Sequence, residues 1–314
     1  MDLSHTVKKS QDGLGRDITT DNCNNPIIRH KFTADPTAIV YRDTLYLYTG
    51  RDEAPEDQAK YVMNEWLCFS SQDLCTWTEH TNILKPVDFT WASGDAYASK
   101  VIQHEKKFLW YVAVTHRTIP GKAIGVAVSD NPDGPFTDAI GAALITNDMI
   151  GASPDSKDNL DPTVIIDDDG FGHMYWGNSQ CYYARVKKSM TELDGPIHKI
   201  DLPGFTEGAN IHRRNQWYYL SYGYGFPEKV AYVMSRKPEG PWEFKGILNE
   251  IPGNCMTNRP CMIEFKGRWY FIYHNGALPT GGSHRRSVCM DYLYYNEDDT
   301  IKRIIMTSEG VKAL

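Results

Sequence analysis

Five times along this chain an acidic or polar residue leads into a short apolar run, a turn, and a second run rich in aromatics. The copies open at Asp35-Pro-Thr-Ala-Ile-Val-Tyr and at Asp95-Ala-Tyr-Ala-Ser-Lys-Val. They open again at Asp161-Pro-Thr-Val-Ile-Ile, at Glu207-Gly-Ala-Asn-Ile, and at Arg259-Pro-Cys-Met-Ile. Their second runs are Leu45-Tyr-Leu-Tyr, Phe108-Leu-Trp-Tyr, His173-Met-Tyr-Trp, Trp217-Tyr-Tyr-Leu and Trp269-Tyr-Phe-Ile-Tyr. After a copy comes a strand that ends near serine and turns before an aromatic, as in Val128-Ser-Asp-Asn-Pro-Asp-Gly-Pro-Phe136 and Met234-Ser-Arg-Lys-Pro-Glu-Gly-Pro-Trp242. The turns of Phe69-Ser70 to Trp77 and Lys188-Ser189 to Gly195-Pro196 are looser versions. A period of roughly 45–65 residues belongs to solenoids and propellers, and no long helical periodicity is present to cover a sheet face. The pattern therefore predicts an all-β, five-bladed β-propeller with four antiparallel strands per blade.

On that reading the 314 residues form one catalytic-size domain, residues 1–314, with 1–24 as an N-terminal extension or closing segment. Twelve per cent aromatic residues with 25 glycines and 17 prolines suit many short strands and tight turns. No apolar run approaches the ~20 residues that cross a bilayer, so no membrane partner is expected. The segment 1–21 is polar and carries no secretory signal. A net charge of -7 with scattered Lys and Arg argues against nucleic acid as a partner. Seven cysteines without a CxxC pair suggest neither a zinc ribbon nor a disulfide framework. Read as buried free thiols, they point to a cytoplasmic location. Oligomeric state is not legible.

In a propeller, the inner strand of each blade starts at the channel mouth, so equal phases of the repeat converge on one pocket. Asp35, Asp95, Asp161 and Glu207 are assigned to that phase. An Asp before Pro also initiates turns. Several acids facing one cleft repel one another, and such groups are kept for proton transfer or metal binding. Two carboxyls flanking a glycosidic bond supply what its hydrolysis needs: one protonated donor, and one ionised group to attack carbon or activate water.

The segments Ala34-Asp35-Pro36-Thr37, Leu160-Asp161-Pro162-Thr163-Val164 and Thr206-Glu207-Gly208-Ala209 add a second line of evidence. With Tyr273-His274-Asn275 and Arg285-Arg286-Ser287-Val288, and from about Asn25 to Thr300, the chain resembles glycoside hydrolase family 43. These are five-bladed propeller enzymes acting on xylosides and arabinofuranosides. The resemblance implies an inverting hydrolase in which Asp35 is the general base, Asp161 tunes and orients the acid, and Glu207 is the general acid. It also implies that Arg285 or Arg286 brings a cation to the sugar or near Glu207, and that His274 helps hold a structural or charge-tuning calcium at the channel centre. No cofactor is required for the chemistry itself.

Trp91 and Phe32 are candidate platforms for a sugar face, each with blade packing as the alternative. Asn178 is a candidate hydrogen-bond donor to substrate. Asp167-Asp168-Asp169-Gly170 lacks the alternating ligands of an EF-hand and reads as a hairpin turn. The sequence holds no HExxH, P-loop, Rossmann or GxSxG motif, nor the Asn-Asp-Pro-Asn-Gly nucleophile of the invertase-type propellers. The expected function is exo-acting release of α-L-arabinofuranose and/or β-D-xylose from xylan-derived oligosaccharides, in xylan degradation. The alternatives are a non-catalytic sugar-binding propeller and an endo-acting arabinanase or xylanase of the same fold.

Overall fold

The computed structural model describes residues 17–19 and 23–314. Blade 1 holds β1 (Asp17–Thr19), β2 (Thr33–Tyr41), β3 (Thr44–Arg51), β4 (Trp66–Ser71) and β5 (Trp77–His80), in the order β1-β5-β4-β3-β2. Blade 2 holds β6 (Ala92–Gly94), β7 (Ser99–His104), β8 (Lys107–His116), β9 (Lys122–Ser129) and β10 (Thr137–Asp138), with β6 and β7 both paired to β8. Blade 3 holds β11 (Thr163–Ile166), β12 (Gly172–Trp176), β13 (Cys181–Val186) and β14 (His198–Ile200). Blade 4 holds β15 (Asn210–Arg214), β16 (Trp217–Tyr224), β17 (Lys229–Ser235) and β18 (Glu243–Asn249). Blade 5 has β19 (Cys261–Phe265), β20 (Arg268–Asn275) and β21 (Ser287–Leu293).

The innermost strands close a ring: β2 touches β7, β7 touches β11, β11 touches β15, β15 touches β19, and β19 returns to β2. This is a five-bladed β-propeller. The turn between first and second strand is tight in most blades; Tyr41 pairs with Thr44 across Arg42 and Asp43, whose φ angles are 47° and 58°. Two consecutive left-handed residues match the right-handed twist of a hairpin.

No single core exists. Five apolar clusters lie between successive blades, one of them joining blade 1 to blade 5 through Leu45, Phe69 and Trp77 on one side and Tyr270, Ile272 and Met290 on the other. The aromatic excess is explained there: Trp77, Trp110, Trp176, Tyr48, Tyr111 and Tyr175 are all fully buried. Blade-on-blade packing of flat rings replaces the helix layer that other sheet folds use.

Two expectations need correction. Blade 5 has three strands among the described residues, not four. The remaining edge, along β21, is met by the stretch leading into β2, where Ile27 N–H donates to Val288 O (2.9 Å) and Thr33 N–H to Arg286 O (2.8 Å). An irregular segment thus satisfies backbone groups that a fourth strand would otherwise pair. Second, the cysteines are not all free, because Cys23 and Cys75 form a disulfide while Cys68, Cys181, Cys255, Cys261 and Cys289 are buried thiols. That pair removes the basis for reading a reducing compartment from the cysteines. Most of the expected extension at 1–24 lies outside the described residues. Of it, Asp17–Thr19 pairs with β5 at the outer edge of blade 1.

Candidate active site

The hairpin register fixes which residues share a phase. Inner strands turn at Tyr41, His104, Arg214 and Phe265, each paired across its hairpin, and at Asp167, whose N–H donates to Phe171 O. The same step back toward the channel mouth reaches Asp35, Ala98, Asp161, Gly208 and Arg259. All five line one cavity of about 300 Å³. Asp95 is therefore three residues out of phase and does not line it. Its carboxylate is turned to Thr115 and to Lys122 (2.7 Å) instead. Glu207 enters one residue ahead of the phase, its place in the ring taken by Gly208. Asp35, Asp161 and Gly208 share a left-handed backbone, at φ 54°, 57° and 70°. Asp tolerates that region better than most side chains, and strained backbone of this kind gathers at functional sites.

Asp35 is held from two sides. Arg286 Nη1 donates to its Oδ1 (2.9 Å), and its own N–H donates to His274 Nδ1 (3.2 Å). Oδ2 has no hydrogen-bond partner among the described residues, which leaves it to the cavity. Arg286 is buried and anchored by Asp52, with Nε to Oδ2 (2.8 Å) and Nη2 to Oδ1 (3.0 Å). Two parallel bonds of this kind fix a guanidinium plane in a way a lysine could not. Burial opposes the charge on Arg286, but Asp35 and Asp52 more than offset it and push its pKa up.

Asp161 is buried, and Gly208 N–H donates to its Oδ2 (2.7 Å). Burial raises its pKa, Arg259 pulls it back, and Asp35 adds to the rise. Arg259, at the blade 5 position of the same phase, crosses the channel to bond Ser99 O of blade 2 (3.1 Å) and Pro162 O of blade 3 (3.2 Å). Glu207 lines the same cavity, and the protein around it desolvates its carboxyl. Its pKa is raised well above the usual range, first by burial and then by Asp161, Glu228 and Asp35. Asn178 Nδ2 donates to Glu207 Oε2. The site thus pairs a carboxyl held beside a guanidinium with one whose proton affinity is raised by burial and by neighbouring carboxyls.

The other expected residues divide sharply. Asn178 lines the cavity, with its amide on Glu207. Of the arginine pair, Arg286 faces inward and onto Asp35 rather than Glu207, whereas Arg285 is partly exposed and its guanidinium donates to Thr280 O (2.5 Å from Nε). Trp91 and Phe32 are not brought to the cavity wall. Trp91 Nε1 donates to Asp138 (2.9 Å) and its ring stacks on His116, which is the blade-packing alternative. Phe32 lies under Arg285, 5.8 Å from its guanidinium. Sequence reading missed Tyr61, Tyr97, Asp52, Glu228 and Arg259. Only Arg259 and Asp52 left a signal, one at the repeat phase and the other in Gly50-Arg51-Asp52 at the end of an aromatic strand.

His274 is fully buried, and both ring nitrogens are engaged: Nδ1 accepts from Asp35 N–H, and Nε2 lies 3.0 Å from Thr257 O. Burial, reinforced by Arg286, drops its pKa to about 3, so the ring is neutral. A histidine with no free lone pair, beside two guanidiniums, does not fit a divalent cation, and no step below runs through one. Asp167, Asp169 and His173 are the one grouping among the described residues whose ligand atoms, within 4.8 Å of each other, could hold a cation. They sit at the far end of β11, where Arg213 and Arg185 already pair with the two carboxylates.

Comparison with known proteins agrees with this geometry. An arabinoxylan arabinofuranohydrolase of Bacillus subtilis is 30% identical over 343 residues, covering 91% of this chain, which spans 65% of that relative's length. The structure of an α-L-arabinofuranosidase from Clostridium thermocellum superimposes with TM-score 0.74 at 33% identity, covering 91% of this chain and 98% of that one. A β-xylosidase/α-arabinofuranosidase from a compost microbial metagenome, solved with xylotriose in a calcium-free form, gives TM-score 0.79 at 26% identity, covering 91% and 98%. The profile of the glycosyl hydrolases family 43 matches residues 23–301, so the chain belongs to glycoside hydrolase family 43.

Proposed function

We propose that this protein is an inverting, exo-acting glycoside hydrolase that releases α-L-arabinofuranose and/or β-D-xylose from xylan- or arabinoxylan-derived oligosaccharides. The observation that carries the reading is the pairing of unlike carboxyl groups in one narrow cavity: Asp35 ion-paired to Arg286, and Glu207, whose proton affinity is raised by burial and by Asp161. In the reaction, a water attacks the anomeric carbon while Asp35 takes its proton. The bond from that carbon to the glycosidic oxygen breaks as Glu207 donates its proton to the leaving oxygen. Asp161, fixed by Gly208, contributes negative charge that favours the protonated form of Glu207. Two carboxyl groups and a water complete the chemistry, so no cofactor is needed.

A cavity of about 300 Å³ is at the small end for a ligand site, which suits capture of one terminal sugar rather than a run of the chain. The relatives named for arabinofuranose and xylose support both sugars. Hydrolysis of aryl α-L-arabinofuranoside and β-D-xyloside by wild type, Asp35→Ala and Glu207→Ala tests the assignment. Each variant is expected to lose roughly 10²–10⁴-fold in kcat on substrates with poor leaving groups. Activity surviving in both sinks the reading. Proton NMR of the first-formed sugar should show the inverted anomer, and retention would exclude Asp35 as a base acting through water.

A further inference from the structure

The reaction uses three carboxyl groups of this cavity, and the cavity holds a fourth. Glu228 lines it, is 2% exposed, and stands immediately before blade 4's third strand, two residues after the exposed Phe226. Its Oε2 accepts the N–H of Asn258 (2.8 Å), and its own N–H donates to Met256 O (2.8 Å), so backbone and side chain are both tied to the loop leading into blade 5. Room for it is made by Gly223, where a Cβ would fall 2.9 Å from Glu228 Cδ and 2.7 Å from Thr206 Oγ1. The same Gly223 holds the acid's own backbone, its N–H donating to Glu207 O (2.8 Å) and its carbonyl accepting from Thr206 N–H (2.9 Å). One bare glycine thus anchors the segment that carries Glu207 and admits Glu228 beside it.

We propose that Glu228 is a positioning residue for the general acid: a buried carboxylate, locked next to the Glu207 segment, that keeps the acid loaded with its proton on the alkaline side of the working range. This rests on the assignment of Glu207 as the acid. After Asp161, Glu228 is the carboxylate that most raises the proton affinity of Glu207. Its own titration, pushed up to about 7 mainly by burial and lowered by the Asn258 amide, lets it ionise where the acid is at risk of losing its proton. The charged and titratable groups around the cavity are few enough to name. Asp161 and Asp35 act with Glu228 on the acid. Arg286 is committed to Asp35 and Asp52, and Arg259 to the carbonyls of Ser99 and Pro162. His274 is neutral, and Lys157, His284, Tyr61 and Tyr97 complete the lining. Two desolvated carboxyl groups lining one cavity resist joint ionisation, and the pair then holds a proton that neither would hold alone.

The test is the pH dependence of kcat/KM in Glu228→Gln, which keeps an acceptor for the Asn258 amide but removes the charge. Two substrates are used, an unactivated phenyl glycoside that needs the acid and a dinitrophenyl glycoside that does not, with Glu207→Gln as the control. With the phenyl substrate the alkaline limb should move down by about one pH unit, a tenfold loss at the alkaline end, while the acidic plateau stays within about threefold. The dinitrophenyl limb should stay in place. An unmoved limb with raised KM would make Glu228 a sugar contact, and a uniform fall at every pH would make it a structural brace; either overturns the proposal. Should Glu228→Gln fold poorly, Gly223→Ala, which pushes the carboxylate away, must move the same limb the same way. If Glu207→Gln hydrolyses the phenyl substrate at the wild-type rate, the acid assignment itself has failed. If Glu207→Gln is inactive on it but Glu228→Gln shows no shift, only the proposal for Glu228 falls.

Discussion

Arg286 carries more of this site than its position in an Arg-Arg pair suggests. Its guanidinium satisfies Asp52, which has no exposure of its own side chain, and reaches past it to Asp35. Arg286→Ala leaves a buried carboxylate unpaired, for which roughly 3–5 kcal/mol of lost stability is expected, with loss of activity because Asp35 is no longer held. Arg286→Lys keeps the charge but not the two parallel bonds, and should recover part of the stability and little of the activity. Arg285→Ala, by contrast, should lie within about 0.5 kcal/mol of wild type in chemical denaturation. Glu228 makes a prediction of the opposite sign. Its pKa is raised in the folded state, so between the unfolded value and about 7 the fold binds a proton that the unfolded chain has released, and stability falls as pH rises through that window. Glu228→Gln should therefore be more stable than wild type at pH 8, by on the order of 1–3 kcal/mol, and no more stable at pH 4. Thermal melts at the two pH values read this directly. At this scale the sequence was legible where a residue type sits at a repeated phase, as with Asp35 and Asp161. It was misleading for Asp95, because counting from acids rather than from hairpins hides a shift of three residues. Trp91 and Phe32 show a further limit, since an aromatic near an acid has the same local signature whether it faces sugar or the next blade.

The strands are held to one another across blades by a recurring tyrosine. Tyr48 OH donates to Pro132 O (2.6 Å), Tyr111 OH to Met190 O (2.6 Å), Tyr175 OH to Pro238 O (2.6 Å) and Tyr219 OH to Asp299 O (2.7 Å). In each case a second strand latches onto the outer turn of the following blade. Three of those turns are shaped in turn by serine: the N–H groups of Asn131, Thr191 and Lys237 each donate to the hydroxyl of the serine two residues before them. The Ser-to-aromatic motif that looked like punctuation in the sequence is thus the receiving half of an interblade latch. Tyr175→Phe removes the donor and leaves a buried carbonyl unpaired while keeping the ring, so a loss of about 1–3 kcal/mol is expected. Because Tyr175 does not line the cavity, kcat/KM at 25 °C should be unchanged, and an activity loss matching the stability loss would refute the separation of latch from site. The four-strand repeat was readable from periodicity in blades 1 to 4, where aromatic alternation is strong, although the short β1 and β6 add a fifth strand to blades 1 and 2. Blade 5 was misjudged because its last edge is met by a segment from the other end of the chain, a partner that no local pattern announces.

Closure of the ring is the property that belongs to the whole molecule, since the cavity exists only if blade 5 meets blade 1 at the phase that brings Arg286 to Asp35. The join is made by the segment before β2. Asn25 accepts the N–H of Met290 (2.8 Å) and donates to the carbonyls of Met290 (3.1 Å) and Thr307 (2.9 Å), and Cys23 is bonded to Cys75 in the outer turn of blade 1. Blade 5 is thereby stitched to a segment that is itself covalently fixed to blade 1. The disulfide spans 52 residues of chain, and the chain-entropy account gives a stabilisation of about 4 kcal/mol for a loop of that size, at the top of the roughly 2–4 kcal/mol that disulfides typically contribute. Cys75→Ser, or wild type under reducing conditions, should therefore melt at a lower temperature, by about 2–4 °C per kcal/mol for a domain this large. Activity well below that melt should be kept, because neither cysteine approaches the cavity and the Asn25 bonds still hold the seam. If reduction instead abolished activity with the melting temperature unchanged, the disulfide would be acting on the site and not on closure. Asn25→Ala in the reduced protein provides the complementary measurement. With both ties gone, the seam between blades 5 and 1 should open first, so hydrogen exchange should rise in β2 and β21 before it rises in β12 and β16.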